Sequence, residues 1–365
     1  MAVKNGPGLI RERAGSLRKY HQEAGVVRAE LDVSGGVDSG VMLGLLVESI
    51  GANNITAVHS GINTNPEQLA RARALCKALG VKLIEMDLTG IFGELTSLML
   101  ARGAAAGHSL IEMEARIKAD PTIFGSIRST LRAPVGRGMN RILGNGIRHG
   151  TGNKCEDEFL RFFQKGGDGE VDSNPIEMLS KVEVWQLAYA LGEYFPEARE
   201  VYRAMIRCKP SADLWGVGDE HNDETEIKGW LKVDFTYGAV SPETGEVTQV
   251  GTIDRVSQFL DTEILVSADR TAQARFEVFN DSKTVTAELV RTAASSGCFD
   301  GFALEQIEAL LNAAKKAERG TRHKSNASTP LIGHDSISDA RRTLVSAGIL
   351  TNLSSAKADD QVVAA

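Results

Sequence analysis

The chain has 365 residues, 42% of them hydrophobic and 24% charged, enough to bury the core of one large domain or of a main domain with an appended lobe. Its formal charge of -7 argues against broad, non-specific binding to nucleic acid or to an anionic membrane, so any phosphate site must be a focused one. No run approaches the ~20 apolar residues that span a bilayer, and the opening MAVKNGPGLIRERAG lacks the apolar core of a signal peptide. Cys76, Cys155, Cys208 and Cys298 show neither CxxC pairing nor zinc-like spacing, which predicts reduced thiols in a cytoplasmic protein with no membrane and no nucleic-acid partner.

Residues 27–33 alternate apolar and polar side chains and predict a first strand, which ends in the turn SGGVDSG. A helix follows at once, its apolar run 41–50 closing near Gly51, and residues 55–59 predict a second strand. Pro66 suits a helix start, with Leu69, Ala72, Cys76 and Leu79 on one face, and residues 81–88 predict a third strand after Gly80. Strand and helix in alternation predict an α/β fold: a doubly wound parallel sheet with helices on both faces and ligand sites at the carboxyl ends of the strands. From Gly103 to Gly150 the chain is rich in Gly, Ala and Arg, with helices expected near residues 110–119 and 123–131. Residues 145–149 are more polar than a central strand should be. Beyond them a helix is expected at 183–193, a hairpin at 235–252 turning at 242–245, and an amphipathic helix at 302–319 stopped by Gly320. The expected division is a main domain over residues 1–335, with an inserted or extended segment at about 231–298, then a helix and flexible tail over 336–365.

The strongest chemical signal is Ser34-Gly35-Gly36-Val37-Asp38-Ser39, between a predicted strand and a predicted helix. Two glycines let the backbone approach a phosphate, a helix amino terminus offers unpaired N–H donors, and the serine hydroxyls add more. The bland alternative is a Gly-Gly turn that merely joins strand to helix. No lysine follows the glycines, so this is neither a Walker loop nor GxGxxG. It resembles the PP-loop of enzymes that cleave ATP between the α and β phosphates and adenylate a substrate oxygen.

Further along stand Gly150-Thr151-Gly152-Asn153-Lys154-Cys155-Glu156, Lys165-Gly166-Gly167-Asp168-Gly169, Asp172, Asn174-Pro175 and Lys181. Then come Lys209-Pro210-Ser211-Ala212-Asp213-Leu214, Asp223-Glu224-Thr225-Glu226 and His323-Lys324. In that order and spacing, over residues 27–330, the chain resembles the ammonia-dependent NAD synthetases, PP-loop enzymes of the adenine nucleotide alpha hydrolase-like fold. The resemblance implies ATP-dependent amidation of nicotinic acid adenine dinucleotide through an adenylated intermediate, with release of AMP and pyrophosphate. It implies that Ser34, Gly35, Gly36, Asp38, Ser39, Lys181 and Ser211 hold the nucleotide and that Asp38 and Glu156 hold Mg²⁺. Asp168 and Lys181 would act in catalysis, and Arg128, Lys165, Asp168, Asp172, His323 and Lys324 would contact the dinucleotide. A homodimer is implied too.

The ~30 residues ahead of the loop are too few for a glutaminase domain, so free ammonia is the expected nitrogen donor, with a separate glutaminase as a possible partner. Taken singly, Arg128, Lys165 and Lys181 read as solvated surface charges, and the Glu156 cluster as an exposed helix start. Trp185 and Tyr189, at helical spacing, read as packing. The rival functions are a PP-loop ligase acting on a different nucleotide or modified base, and a nucleotide-binding homologue without catalysis.

Overall fold

The structure, a computed structural model, describes residues 3–120, 122–157, 160–211, 222–260, 282–321 and 324. Helix α1 (Gly6–Ala24) precedes the first strand, β1 (Ala29–Asp32). Then follow α2 (Val37–Ile50), β2 (Ile55–Gly61), α3 (Pro66–Ala78) and β3 (Leu83–Asp87). Three helices, α4 (Thr89–Ala105), α5 (Leu110–Ala119) and α6 (Thr122–Leu143), lead to the short strand β4 (Ile147–Arg148). All four strands are parallel, in the order β3-β2-β1-β4. The chain therefore steps from β1 outward to β3 and returns across the sheet to β4, which puts a topological switch point between the carboxyl ends of β1 and β4.

Physical reasons for these elements are local. Alternating burial in β1 and β2 fails because both strands are covered on both sides: Leu31, Ala57 and Val58 are inaccessible to solvent, as parallel strands require. In α2 almost every residue from Val41 to Leu46 is buried, so this helix fills the core rather than lying on it. Asn5 and Asn65 cap α1 and α3, each followed by a proline in the first turn. The sequence does not announce α1 or α4. Helix α1 buries a thin stripe of Ile10, Ala14, Leu17 and His21, and α4 buries Phe92 and Thr96.

The polar strand β4 has a specific cause. Arg148 is buried and reaches across to β1, where its guanidinium pairs with Glu30 and lies 2.9 Å from Asp32 Oδ2. Its Nε donates to the carbonyl oxygen of Glu170 at 2.8 Å. Burial pushes the Glu30 carboxyl up to about 7 against the pull of Arg148. The sheet edge is thus held by charge where an apolar pair would have been expected from the other strands.

After β4 come α7 (Lys154–Asp157), α8 (Lys181–Tyr194), α9 (Arg199–Arg207) and α10 (Asp223–Leu231). The hairpin expected at 235–252 forms as β5 (Ala239–Val240) and β6 (Val247–Gln249), followed by α11 (Thr252–Gln258). Helix α12 (Ala287–Ser295) and α13 (Leu304–Thr321) follow, and Gly320 lies inside α13 rather than ending it. Residues Met1–Gly320 form one compact unit and Thr321–Ala365 a second. The boundary expected at 335, and the helix and tail after it, lie outside the described residues. Cys76, Cys155, Cys208 and Cys298 form no disulfide, and no helix among the described residues is long and apolar enough to cross a membrane.

A buried histidine pair ties α1 to the sheet. His21 Nδ1 donates to the Val26 carbonyl at 2.8 Å, because a carbonyl can only accept. His21 Nε2 is then the acceptor for His149 Nε2, 3.0 Å away, and His149 Nδ1 accepts from the Ser173 hydroxyl at 2.7 Å. Burial, reinforced by His21, holds His149 down to about 3. A histidine whose folded value is depressed contributes stability above its unfolded value, ~6.5, and that stability is lost as pH falls toward the folded value. Urea denaturation should accordingly show about 2 kcal/mol more loss of stability between pH 7.5 and pH 5 in the parent chain than in His149→Gln. Identical pH slopes in the two chains would contradict this assignment.

Candidate active site

The turn after β1 brings the SGGVDS backbone into the switch-point crevice. Gly35 has φ +86 and lies so close to α3 that a Cβ there would stand 2.8 Å from the carbonyl carbon of Gln68, so both conformation and space require glycine. Gly36 is the extended N-cap of α2 and carries no side-chain cap, which leaves the first N–H groups of the helix for a ligand. Ser34 Oγ accepts from Gly36 N at 3.2 Å and lies 3.0 Å from Ser39 Oγ, so the two hydroxyls are held beside those N–H groups. Arg71 of α3 clamps the outside of the turn, its Nε donating to the Gly35 carbonyl at 3.0 Å.

Facing this anion-binding turn is a buried ion cluster. Lys181, the first residue of α8, is 1% exposed, and its Nζ lies 2.6 Å from Asp38 Oδ2 and 2.8 Å from Glu156 Oε1. Ser180 and Glu183 form a capping box that fixes the start of α8 and hence the root of the lysine. The Tyr237 ring centroid lies 5.5 Å from the ammonium. Burial opposes the lysine's charge, but Asp38, Glu156 and Asp223 outweigh it and hold Lys181 well above its usual value. Burial also pushes Glu156 up, and Asp223 up to about 8. Asn153, fully buried, donates to Asp38 Oδ1 at 3.0 Å and accepts from the main-chain N–H of Glu156 at 3.3 Å, so it ties the Asp38 carboxylate to the backbone that carries Glu156. Asp157 turns away and accepts from Asn174 at 2.5 Å.

A single cavity is lined by Ser34, Gly36, Asp38 and Ser39 on one side and by Glu156, Asp168, Lys181 and Ser211 on the other. Eight of the expected site residues are thus brought together. Gly35 supports the turn from behind, outside the lining. Arg128 is buried with its guanidinium 5.2 Å from the Phe92 ring centroid, away from the cavity. Asp172 is bonded to Arg137 at 3.0 Å and to the main chain of Arg148 at 2.9 Å, and neither it nor the exposed Lys165 lines the cavity. His323 lies outside the described residues, and Lys324 belongs to the second unit. Trp185 is packing, as expected, with its ring edge-on to Tyr237.

Several cavity residues went unnoticed in the sequence, chiefly Arg71, Arg132, Arg148 and His59. Nothing separates Arg71 from other arginines on amphipathic helices. Arg132 lies one residue past the helix expected at 123–131; the observed α6 continues through it and sets it one turn beyond Arg128. The Arg132 Nε donates to the Ser60 carbonyl at 3.1 Å, at the carboxyl end of β2. Among the described residues no three His, Cys, Asp or Glu side chains converge as a self-sufficient metal cage. What is present is a pair of hard carboxylates on a lysine beside the SGGVDS turn, a donor set of the kind that suits Mg²⁺ when further oxygens complete it.

Residues 9–240 match the NAD synthase family. The NH(3)-dependent NAD(+) synthetase of Methanosarcina acetivorans is 30% identical over 221 residues, covering 60% of this chain and 76% of that protein. The enzyme of the same description from Archaeoglobus fulgidus is 35% identical over 210 residues, covering 56% and 73%. Among solved structures, the NMN synthetase from Francisella tularensis superposes with a TM-score of 0.58 at 18% identity, over 90% of this chain and 100% of that one. The NH3-dependent NAD synthetase from Campylobacter jejuni gives 0.50 at 16% identity, over 90% and 99%. A turn of the PP-loop kind, a lysine clamped between two acids at the head of a helix, and a family match that runs across both make this chain a member of the NAD synthase family.

Proposed function

We propose that the protein converts nicotinic acid adenine dinucleotide to NAD with ammonia, using ATP and releasing AMP and pyrophosphate. The observation that carries this reading is the juxtaposition of two kinds of chemistry in one cavity: the SGGVDS turn with the Asp38–Lys181–Glu156 cluster, and Asp168 in the same wall. A carboxylate substrate is a poor acyl donor because oxide would have to leave. Adenylation turns it into a mixed anhydride from which AMP departs. For that step the N–H groups of α2 and the hydroxyls of Ser34 and Ser39 bind the phosphates, and Lys181 swings its charge from the carboxylates to the departing pyrophosphate.

Mg²⁺ fits the donor set, with Asp38 and Glu156 as its carboxylates, and would supply Lewis-acid stabilisation of the phosphate oxygens. In the second step ammonia attacks the acyl carbon. Asp168 accepts a hydrogen bond from the attacking nitrogen, which orients its lone pair, and the extra proton passes to solvent as AMP leaves. The protein works in the cytoplasm on this reading, with free ammonia or a separate glutaminase as the source.

A homodimer is the proposed assembly. Helix α5 buries none of its residues, and Ile111 is 79% exposed while Leu98 and Met99 of α4 are about half exposed. Apolar side chains concentrated on neighbouring helices suit an isologous contact between two copies. Light scattering should give a dimer for the parent chain and a monomer for the double variant Leu98→Glu, Ile111→Glu; a dimer that survives both changes would place the contact elsewhere.

Activity is tested with ATP, Mg²⁺ and ammonium, with and without nicotinic acid adenine dinucleotide. AMP and pyrophosphate should form in the presence of the dinucleotide, and ADP with phosphate would remove the PP-loop reading. Asp38→Asn should abolish pyrophosphate release. Asp168→Asn, which keeps shape and loses charge, should slow amide formation by ~10²-fold or more and leave pyrophosphate release nearly intact. Full activity in Asp168→Asn would sink the role given to that residue.

A further inference from the structure

Asp168 sits in a tight turn whose geometry is set from outside by α6. The Ser129 hydroxyl lies 2.7 Å from Asp168 Oδ1, and the Asp168 main-chain N–H donates back to the same hydroxyl oxygen at 3.2 Å. An ionised carboxylate can only accept, so the single hydroxyl proton of Ser129 is committed to Oδ1. Gln164 N donates to that same oxygen at 2.8 Å. Both donors therefore fall on Oδ1, and among the described residues none reaches Oδ2. The carboxylate is held in one plane by one oxygen while the other is left for a donor from the cavity, which Ser129 and Asp168 both line.

A second observation points the same way. Gly167 is buried against α6 so closely that a Cβ would stand 2.8 Å from the carbonyl carbon of Ser129 and would collide with its hydroxyl. The turn and the helix are thus in backbone contact at this one place, and Ser129, 5% exposed, is the side chain at the contact. Its rotamer has little freedom. A hydroxyl so confined transmits the position of α6 to the carboxylate.

We propose that Ser129 is a positioning residue for amide formation: it locks Asp168 through Oδ1 so that Oδ2 faces the attacking ammonia. This rests on the role given above to Asp168. The hydroxyl neither gains nor loses a proton in the reaction; it fixes the acceptor toward which an ammonia N–H points while the nitrogen lone pair bonds to the acyl carbon and the bond to AMP breaks. A hydrogen bond to a charged group that sets the reaction geometry is worth roughly one to two powers of ten in rate.

The test separates the two half-reactions. Pyrophosphate release is followed in a single turnover without ammonium, and amide formation is then followed after ammonium is added to the accumulated intermediate. Ser129→Ala keeps the space and removes the donor, and should slow amide formation by about tenfold or more while pyrophosphate release stays within about twofold of the parent. Ser129→Cys keeps a weak donor and should fall between the two. The order Ser, Cys, Ala in the amide step alone supports the proposal. Loss of both half-reactions together, in whichever variant folds, would make Ser129 merely structural and overturn it, as would an unchanged amide rate in Ser129→Ala. Asp168→Asn run alongside distinguishes the failures: if it is fully active the role of Asp168 is wrong, whereas if it is impaired and Ser129→Ala is not, only the positioning fails.

Discussion

Lys181 is the point on which the site depends. A lysine this deeply buried keeps its charge only if carboxylates offset the loss of water, and the two in direct contact with it come from the helix after β1 and the helix after β4. Three segments far apart in the chain are therefore fixed to one another by one ammonium group. Removing the lysine leaves two buried acids with no cation between them, and each partner carries an additional restraint: Asn153 on the Asp38 carboxylate and the Glu156 main chain, the Ser180–Glu183 box on the lysine. On the proposed function, the same group carries the charge that a departing pyrophosphate needs.

The sheet supplies the room for this cluster. Because the chain goes from β1 to β3 before returning to β4, the loops after β1 and β4 diverge, and the crevice between them receives the phosphate-binding turn from one side and the acids of α7 from the other. Two internal networks tie the elements around β4 together. Arg148 spans β4 and β1 beneath the crevice, and the His21–His149–Ser173 chain holds α1 and the strand end together behind it. Both use buried polar groups where an apolar contact would also have served, so both are specific in register.

Much of this was legible residue by residue. The strand-turn-helix pattern around SGGVDS, the parallel order of three strands and the start of α3 at Pro66 follow from period, capping and glycine placement. Helices α1 and α4 were not legible. The first buries a narrow stripe within a polar sequence, and the second is apolar without a clear face because much of it lies exposed. Strand β4 looked too polar for the sheet because its partner charges, Glu30 and Asp32, lie over a hundred residues away in the chain.

The sequence by itself determined the conformation of the SGGVDS turn, since Gly35 and Gly36 stand where a strand meets a helix and the two serines bond within the turn. Asp38, Glu156, Asp168 and Lys181, which line one cavity, could be named beforehand only through the resemblance to the NAD synthetases. Tertiary structure decided what each charge faces. It drew Arg132 and Arg148 into the cavity, left Arg128 against Phe92 and Asp172 on Arg137, and brought Ser129 onto Asp168. The physical reason is that a charged side chain's role depends on its nearest opposite charge or acceptor, and in a parallel sheet with long crossovers that neighbour is set by packing rather than by distance along the chain.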